Sequence, residues 1–188
     1  MRKLVVFNQV TVDGYFTDAS NDINWAHEQG QDEEFQAFVS ENASGEAEML
    51  FGRVTYEMMA SYWPTPAAKQ NDPVVAEGMN KLPKVVFSRT LDEASWSNTR
   101  LVKGDPATEV RKMKNEAGPD MVIMGSGTII SQLAQHGLID EYQFVVVPIA
   151  LGNGRTLFDG VKEKLPLKLT KSRTFRNGSV VLWYEPKT

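Results

Sequence analysis

The run Met121-Val122-Ile123-Met124 is apolar at every position, and Gly125-Ser126-Gly127 passes it directly into a segment with Ile129, Ile130, Leu133 and Ala134 on one helical face. A short strand without polar alternation reads as covered on both faces, and such strands belong to parallel sheets flanked by helices. The same hand-over occurs earlier. Met49-Leu50-Phe51 meets Gly52 and then a helix over Val54–Ser61, which Pro64 and Pro66 terminate. Leu4-Val5-Val6-Phe7 opens a first strand that continues through Val10-Thr11-Val12 to the turn pair Asp13-Gly14. From Thr17 to Gly30 the chain is polar and without a period, which predicts a long loop of the kind that carries function. A helix follows from Asp32, with Phe35, Phe38 and Val39 inward.

The second half alternates in the same way. Strands are predicted over Lys84–Ser88, Arg100–Val102 and Tyr142–Ile149, and Asp105-Pro106 supplies the N-cap and first position of a helix running to about Asn115. Leu167–Phe175 and Ser179–Tyr184 flank Asn177-Gly178, a strong hairpin signal. The expectation is one α/β domain over residues 1–188. Its central sheet is mostly parallel, with an antiparallel hairpin at the C-terminal edge. Val180–Tyr184, apolar throughout, is expected at that edge, where a second copy could cover it.

Composition removes several classes of chemistry. The chain has no cysteine, so disulfides, thiolate metal sites and cysteine nucleophiles are excluded. Two histidines, His27 in the long loop and His136 at a helix end, leave little for an imidazole cage, and no metal site is expected. No signal peptide or membrane span is visible, which makes a soluble cytoplasmic protein the expectation. Residues 1–60 carry a net charge of −8 and the remainder +4, with basic residues scattered rather than striped. Nucleic acid is therefore not the expected partner.

Three predicted strand ends could hold a ligand. Gly52-Arg53-Val54-Thr55 and Gly125-Ser126-Gly127-Thr128 each combine glycine, a helix start and a hydroxyl, and free amides at helix starts favour anions. Ser88-Arg89-Thr90 ends a third strand in two hydroxyls and a fixed cation. Ligands of open α/β sheets bind beyond the carboxyl ends of the strands, so a phosphorylated dinucleotide is a natural guest. Competing motifs fail. The glycine run lacks the third glycine of the Rossmann fingerprint, no Gly-Lys-Ser/Thr is present, and Met124 stands where a nucleophile elbow needs glycine.

Val10–Gly14, Gly52-Arg53-Val54-Thr55-Tyr56-Glu57, and the block from Val122–Gly127 through Leu138–Glu141 to Pro148–Phe158 together resemble the dihydrofolate reductase-like superfamily. The likeness is greatest to stand-alone relatives of the reductase domain of bifunctional riboflavin-biosynthesis enzymes (RibD C-terminal domain), and it spans nearly the whole chain. It implies a three-layer dihydrofolate reductase-like fold, NADPH as cofactor and a flat pteridine or pyrimidine as substrate. On this resemblance Gly52, Arg53 and Thr55 bind the adenosine-side phosphates. Ser88 and Arg89 lie near the 2′-phosphate, and Gly125, Ser126, Gly127 and Thr128 form the turn under the pyrophosphate. Gln9, Asp13 and Phe16 match the strand and loop lining the nicotinamide pocket, and Trp25 the loop tryptophan; these four are the candidate catalytic set. A homodimer is implied as well.

Ser126 departs from the family pattern, in which two glycines are joined by a cis peptide. Such a bond before serine costs about 3–4 kcal/mol, so the turn is either strained or rearranged. A proton donor could come from Asp32, Glu33 or Glu34, although an acidic first turn also complements the helix dipole. No basic cluster for a sugar phosphate can be assigned. An NADP(H)-binding module without activity and a non-enzymatic homodimeric scaffold remain as alternatives.

Overall fold

A computed structural model describes residues 1–28 and 32–187. Its strands are β1 (Leu4–Thr11), β2 (Tyr15–Thr17), β3 (Glu48–Gly52), β4 (Lys84–Phe87), β5 (Thr99–Val102), β6 (Met121–Met124), β7 (Glu141–Val147), β8 (Arg155–Thr156), β9 (Leu167–Thr174) and β10 (Val180–Pro186). The helices are α1 (Glu33–Ser44), α2 (Arg53–Tyr62), α3 (Pro66–Asn71), α4 (Pro73–Lys81), α5 (Pro106–Asn115) and α6 (Gly127–Gln135). One eight-stranded sheet runs β5-β4-β3-β6-β1-β7-β10-β9, and β2 pairs separately with β8. The six strands from β5 to β7 are mutually parallel; β10 is antiparallel to β7 and β9.

Apolar alternation puts helices on both faces. Leu4, Val6, Leu50, Val85 and Ile123 face Val110 and Met113 of α5 and Ile130 and Leu133 of α6. On the opposite face Phe7, Val145, Val147 and Val181 pack against Phe35 and Phe38 of α1, while Met49, Phe51 and Val86 pack against Tyr56, Met79 and Trp96. Complete burial of each such side chain contributes about 1.5–3 kcal/mol. The mostly parallel α/β architecture is the expected one.

Four local readings change. The segment predicted as one long loop begins in β2 and includes a short 3₁₀ turn, Asn24–His27; residues 29 and 30 lie outside the described residues. Pro66 starts a helix rather than only ending α2, with Thr65 capping α3 through Oγ1, and Pro73 starts a further helix that had not been read, since proline suits a first helical position. In the hairpin the Gly178 amide donates to the Phe175 carbonyl at 3.0 Å. Arg176 and Asn177 are thus the central turn residues, and Gly178 takes the following positive-φ position at +85°. Finally, β10 is not an edge strand. It lies between β7 and β9, because the Gly178 turn folds β9 onto its outer side, and the exposed edge is β9.

Lys84 is fully buried and pairs with no carboxylate among the described residues. Its Nζ donates to the carbonyls of Met79, Asn80 and Leu82 and lies 4.5 Å from the Trp96 ring centre, so a β4 side chain caps the end of α4. Burial pushes its pKa down to about 8.

Candidate functional site

Parallel pairing brings the carboxyl ends of β4, β3, β6 and β1 to one edge, with Phe87 opposite Gly52 and Phe7 opposite Met124. β6 stops there, whereas β1 continues with β7 as far as Thr11 opposite Val147. Beyond Met124 the ladder on that side of β1 ends, and Asn8 accepts from the Gly125 amide instead. Four neighbouring strands at about 4.8 Å spacing span about 14 Å, a reach suited to an extended dinucleotide.

The two glycine turns lie against each other at this edge. The Gly52 amide donates to Ser126 Oγ at 2.7 Å, and the Gly125 amide donates to Asn8 Oδ1 at 3.3 Å. Among the described residues, the amides of Arg53, Val54 and Thr55 and of Ser126, Gly127 and Thr128 have no backbone acceptor. They form two adjacent rows of donors, each at the positive end of a helix. A Cβ on Gly125 would stand 2.8 Å from Thr55 Cγ2, so glycine keeps the turns in contact. The described residues contain no cis peptide. The turn is rearranged instead: Gly125 has φ +70° and Ser126 φ +67°, a left-handed conformation that costs a serine about 1–2 kcal/mol. The chemistry of this donor set, unpaired backbone amides at two helix starts, fits an anionic diphosphate.

The cations distribute differently. Arg53 turns along its own helix to Glu57 at 2.9 Å, so its contribution at the edge is its amide. Ser88 Oγ accepts from the amides of Thr90 and Leu91 and shapes a turn whose exposed Arg89 makes no ion pair among the described residues. Thr55 is buried against Gly125, and Thr128 is exposed.

The candidate catalytic residues do not form one cluster. Phe16 is buried beside Gly127, where a Cβ would meet its ring at 3.2 Å. Trp25 belongs to the opposite face, with Phe35, Phe38 and Val145. Gln9 is half-buried on that face, and its Oε1 is shielded from water with no hydrogen-bond partner. Asp13 accepts from the Thr11 hydroxyl at 2.6 Å, the Gly152 amide at 2.7 Å and the Leu151 amide at 3.1 Å, clamping the turn after β1 to the loop after β7. The Thr11 hydroxyl, and then these amides, hold its carboxyl below the ordinary carboxylate value.

The acidic start of α1 is structural. Although burial pushes the Asp32 carboxyl up, the amides of Asn177, Phe35 and Glu34 outweigh it and hold the group ionised as the helix cap. Glu34 pairs with Arg173 at 2.6 Å, and Glu33 is exposed. Two further residues enter the site without having been singled out. Asn8 is buried, and its place as the first polar residue after the apolar run Leu4–Phe7 was its signal. Arg155 lies over the Phe16 ring at 5.7 Å, and its place in the Gly152–Phe158 block was its signal.

A mostly parallel sheet with an antiparallel end hairpin and an amide-lined carboxyl edge defines a dihydrofolate reductase-like α/β protein. Within that class the chain belongs to the RibD C-terminal domain family, whose pattern matches residues 2–181. The fold is similar to that of a Shewanella sp. PV-4 protein named for riboflavin biosynthesis (TM-score 0.74, 23% identity, 99% of each chain). It is also similar to the Thermotoga maritima diaminohydroxyphosphoribosylaminopyrimidine deaminase/5-amino-6-(5-phosphoribosylamino)uracil reductase (TM-score 0.69, 15% identity, 99% of this chain and 57% of that one). A third likeness is to Enterococcus faecalis dihydrofolate reductase complexed with NADP(H) (TM-score 0.66, 12% identity, 99% of this chain and 97% of the other). At these identities the likeness is one of fold. Among the described residues no helix is long and apolar enough to cross a membrane, and no group of His, Asp or Glu could hold a metal ion.

Proposed function

We propose that the protein is an NADP(H)-dependent reductase that delivers hydride to a flat pyrimidine- or pteridine-type heterocycle. The observation that carries this reading is the contact between the two amide-bearing turns through Gly52 and Ser126. The amides of Arg53–Thr55 and Ser126–Thr128 hold the diphosphate, and the unpaired Arg89 at the next strand end takes the 2′-phosphate. When bound, the cofactor supplies the hydride. The chain orients and dries the site. Asn8 to Thr11 at the end of β1 stand nearest the reacting rings, Phe16 and Trp25 pack on opposite faces of the sheet there, and Asp13 positions the adjoining loops. The NADP(H) of the Enterococcus enzyme and the pyrimidine reductase activity named for the Thermotoga protein support the choice of cofactor and substrate class.

One observation favours a second reading, an NADP(H)-binding module without turnover. Asp13 and Asp32 are committed to backbone amides and Glu34 to Arg173, so none of them is free to deliver a proton. Titration of the protein with NADPH, NADP and NADH, followed by tryptophan fluorescence and melting, tests both readings. Binding raises the melting temperature as ligand exceeds its dissociation constant, and three unmoved curves dispose of both. Loss of nicotinamide absorbance with a panel of pterins, dihydrofolate and ribosylaminopyrimidines selects the reductase; binding without oxidation selects the module.

A cytoplasmic homodimer belongs to the same proposal, with the bare edge of β9 available for pairing. Light scattering at the mass of a single chain removes the dimer.

A further inference from the structure

The chain contains two Asn-Gly pairs, Asn153-Gly154 and Asn177-Gly178, and the fold treats them in opposite ways. In this dipeptide the glycine nitrogen can reach the asparagine carboxamide carbon, because no Cβ stands in its way. At Asn177 the groups that would take part are tied down. Its own amide donates to Asp32 Oδ2 at 2.9 Å, its Oδ1 accepts from the Ser179 amide at 3.0 Å, and its Nδ2 is sealed from solvent. The Gly178 amide donates to the Phe175 carbonyl at 3.0 Å. Asn153, by contrast, is exposed, and neither its carboxamide nor the Gly154 amide bonds to a described residue. This free dipeptide stands between two fixed points. On one side the Gly152 amide is held by Asp13 at 2.7 Å, and on the other Arg155 and Thr156 pair with β2.

We infer that Asn153 is a site of spontaneous modification, at which the folded protein converts asparagine to isoaspartate and aspartate while Asn177 is spared. The reaction needs only water and does not depend on the function proposed above. A base removes the Gly154 amide proton, and the nitrogen attacks Cγ of Asn153. The N–Cγ bond forms, the Cγ–Nδ2 bond breaks, and the departing nitrogen takes up a proton and leaves as ammonia. Water then adds across one C–N bond of the five-membered imide. Opening at the main-chain carbonyl gives isoaspartate, and opening at the side-chain carbonyl gives aspartate. Either product exchanges a neutral amide for a carboxylate two residues from Arg155. Isoaspartate also routes the backbone through Cβ, which adds one carbon between the Asp13 clamp and β8. The space for it is small, since even a Cβ on Gly154 would run into the Thr17 carbonyl. The modification therefore loosens the β2–β8 pair, whose Phe16 packs against Gly127.

The test holds the folded wild-type protein in mildly alkaline buffer at physiological temperature and follows it by peptide mass spectrometry, with isoaspartate counted by isoaspartyl O-methyltransferase labelling. The peptide containing Asn153 should gain one mass unit about tenfold or more faster than the peptide containing Asn177, which reacts only when the hairpin opens. In urea the two rates should converge, because unfolding removes the protection of Asn177. Equal rates in the folded protein, or a faster Asn177, overturn the inference. So does an Asn153 that stays intact while the unfolded chain converts. Asn153→Gln, whose longer side chain closes the ring poorly, should stay unmodified and keep its melting temperature on ageing. Aged wild type should melt about 2–4 °C lower than fresh protein, whereas Asn153→Asp, which adds the charge without lengthening the backbone, should stay within about 1 °C. An isoaspartate-bearing protein that melts like fresh wild type refutes the loosening of the β2–β8 pair.

Discussion

The Gly52 amide donates to the Ser126 hydroxyl at 2.7 Å, tying the ends of two adjacent parallel strands across 74 residues of chain. That bond sets the spacing of the two donor rows, and it uses a serine held at φ +67°. Removing the hydroxyl and relieving the backbone are therefore separable. Ser126→Ala loses the bond and keeps the strain, at a cost of about 1–2 kcal/mol. Ser126→Gly loses the bond and sheds about 1 kcal/mol of strain, leaving stability near wild type. Urea denaturation should rank wild type and Ser126→Gly together above Ser126→Ala; the reverse order for the two variants rejects this account.

Gly125 and Thr55 are expected to couple. In Gly125→Ala the new methyl meets Thr55 Cγ2 at 2.8 Å in a backbone conformation that disfavours any side chain, so a loss of about 2–4 kcal/mol is expected. Thr55→Ser removes the methyl that is struck. The double variant should recover about 1 kcal/mol relative to additivity, measured as a double-mutant cycle; strict additivity would place the clash elsewhere.

Arg89→Ala probes the cofactor assignment. A charge-assisted contact to a phosphate contributes about 1.5–3 kcal/mol, so NADPH affinity should fall by about 10–100-fold while NADH affinity stays within twofold. Equal losses for the two coenzymes would move the 2′-phosphate away from Arg89.

The Asp13 carboxyl is held below its unfolded value of 3.8 by the Thr11 hydroxyl and the Gly152 and Leu151 amides. As pH falls below about 4 the unfolded chain takes up this proton before the folded one, so the group's contribution to stability is present above that range and is lost in acid. Asp13→Asn should lower the denaturation midpoint at neutral pH and show a shallower decline between pH 5 and 3. Parallel declines in the two proteins would show that the clamp does not depend on charge.

For Lys84 the sign is opposite. Its folded pKa is about 8, below the ordinary 10.5, so between these values the unfolded chain holds more protons and stability from this group rises with pH. Measured against Lys84→Met, wild type should gain stability from pH 8 to 10; a constant difference would mean that the ammonium keeps its proton inside the fold.

Much of the architecture was legible from local patterns. β6 is apolar at all four positions, and Asp105-Pro106 caps α5 as read, with the Thr108 amide on the aspartate at 2.8 Å. The segment 66–81 was passed over because each proline there punctuates the chain in two directions, and nothing local states whether it ends one helix or starts the next. Within the site, two strand ends were identifiable as glycine-and-hydroxyl turns and the third as an arginine between two hydroxyls. The turn of Arg53 to Glu57 is itself a local pair four residues apart on one helix, whereas the absence of an ion pair at Arg89 among the described residues depends on which groups the fold brings near it.

The amino-acid sequence by itself determined the elements and their hand-overs, because hydrophobic period, capping and turn chemistry act over three or four residues. Strand order was decided by the tertiary structure alone: β1 inserts between β6 and β7, β10 lies inside the sheet, and β9 takes the edge. The same holds for the left-handed Ser126, the Asp13 clamp and the unpartnered Gln9 oxygen. Each of these features requires groups far apart in the chain to meet, and a hydrogen bond or steric contact of that kind leaves no periodicity in the residues that make it.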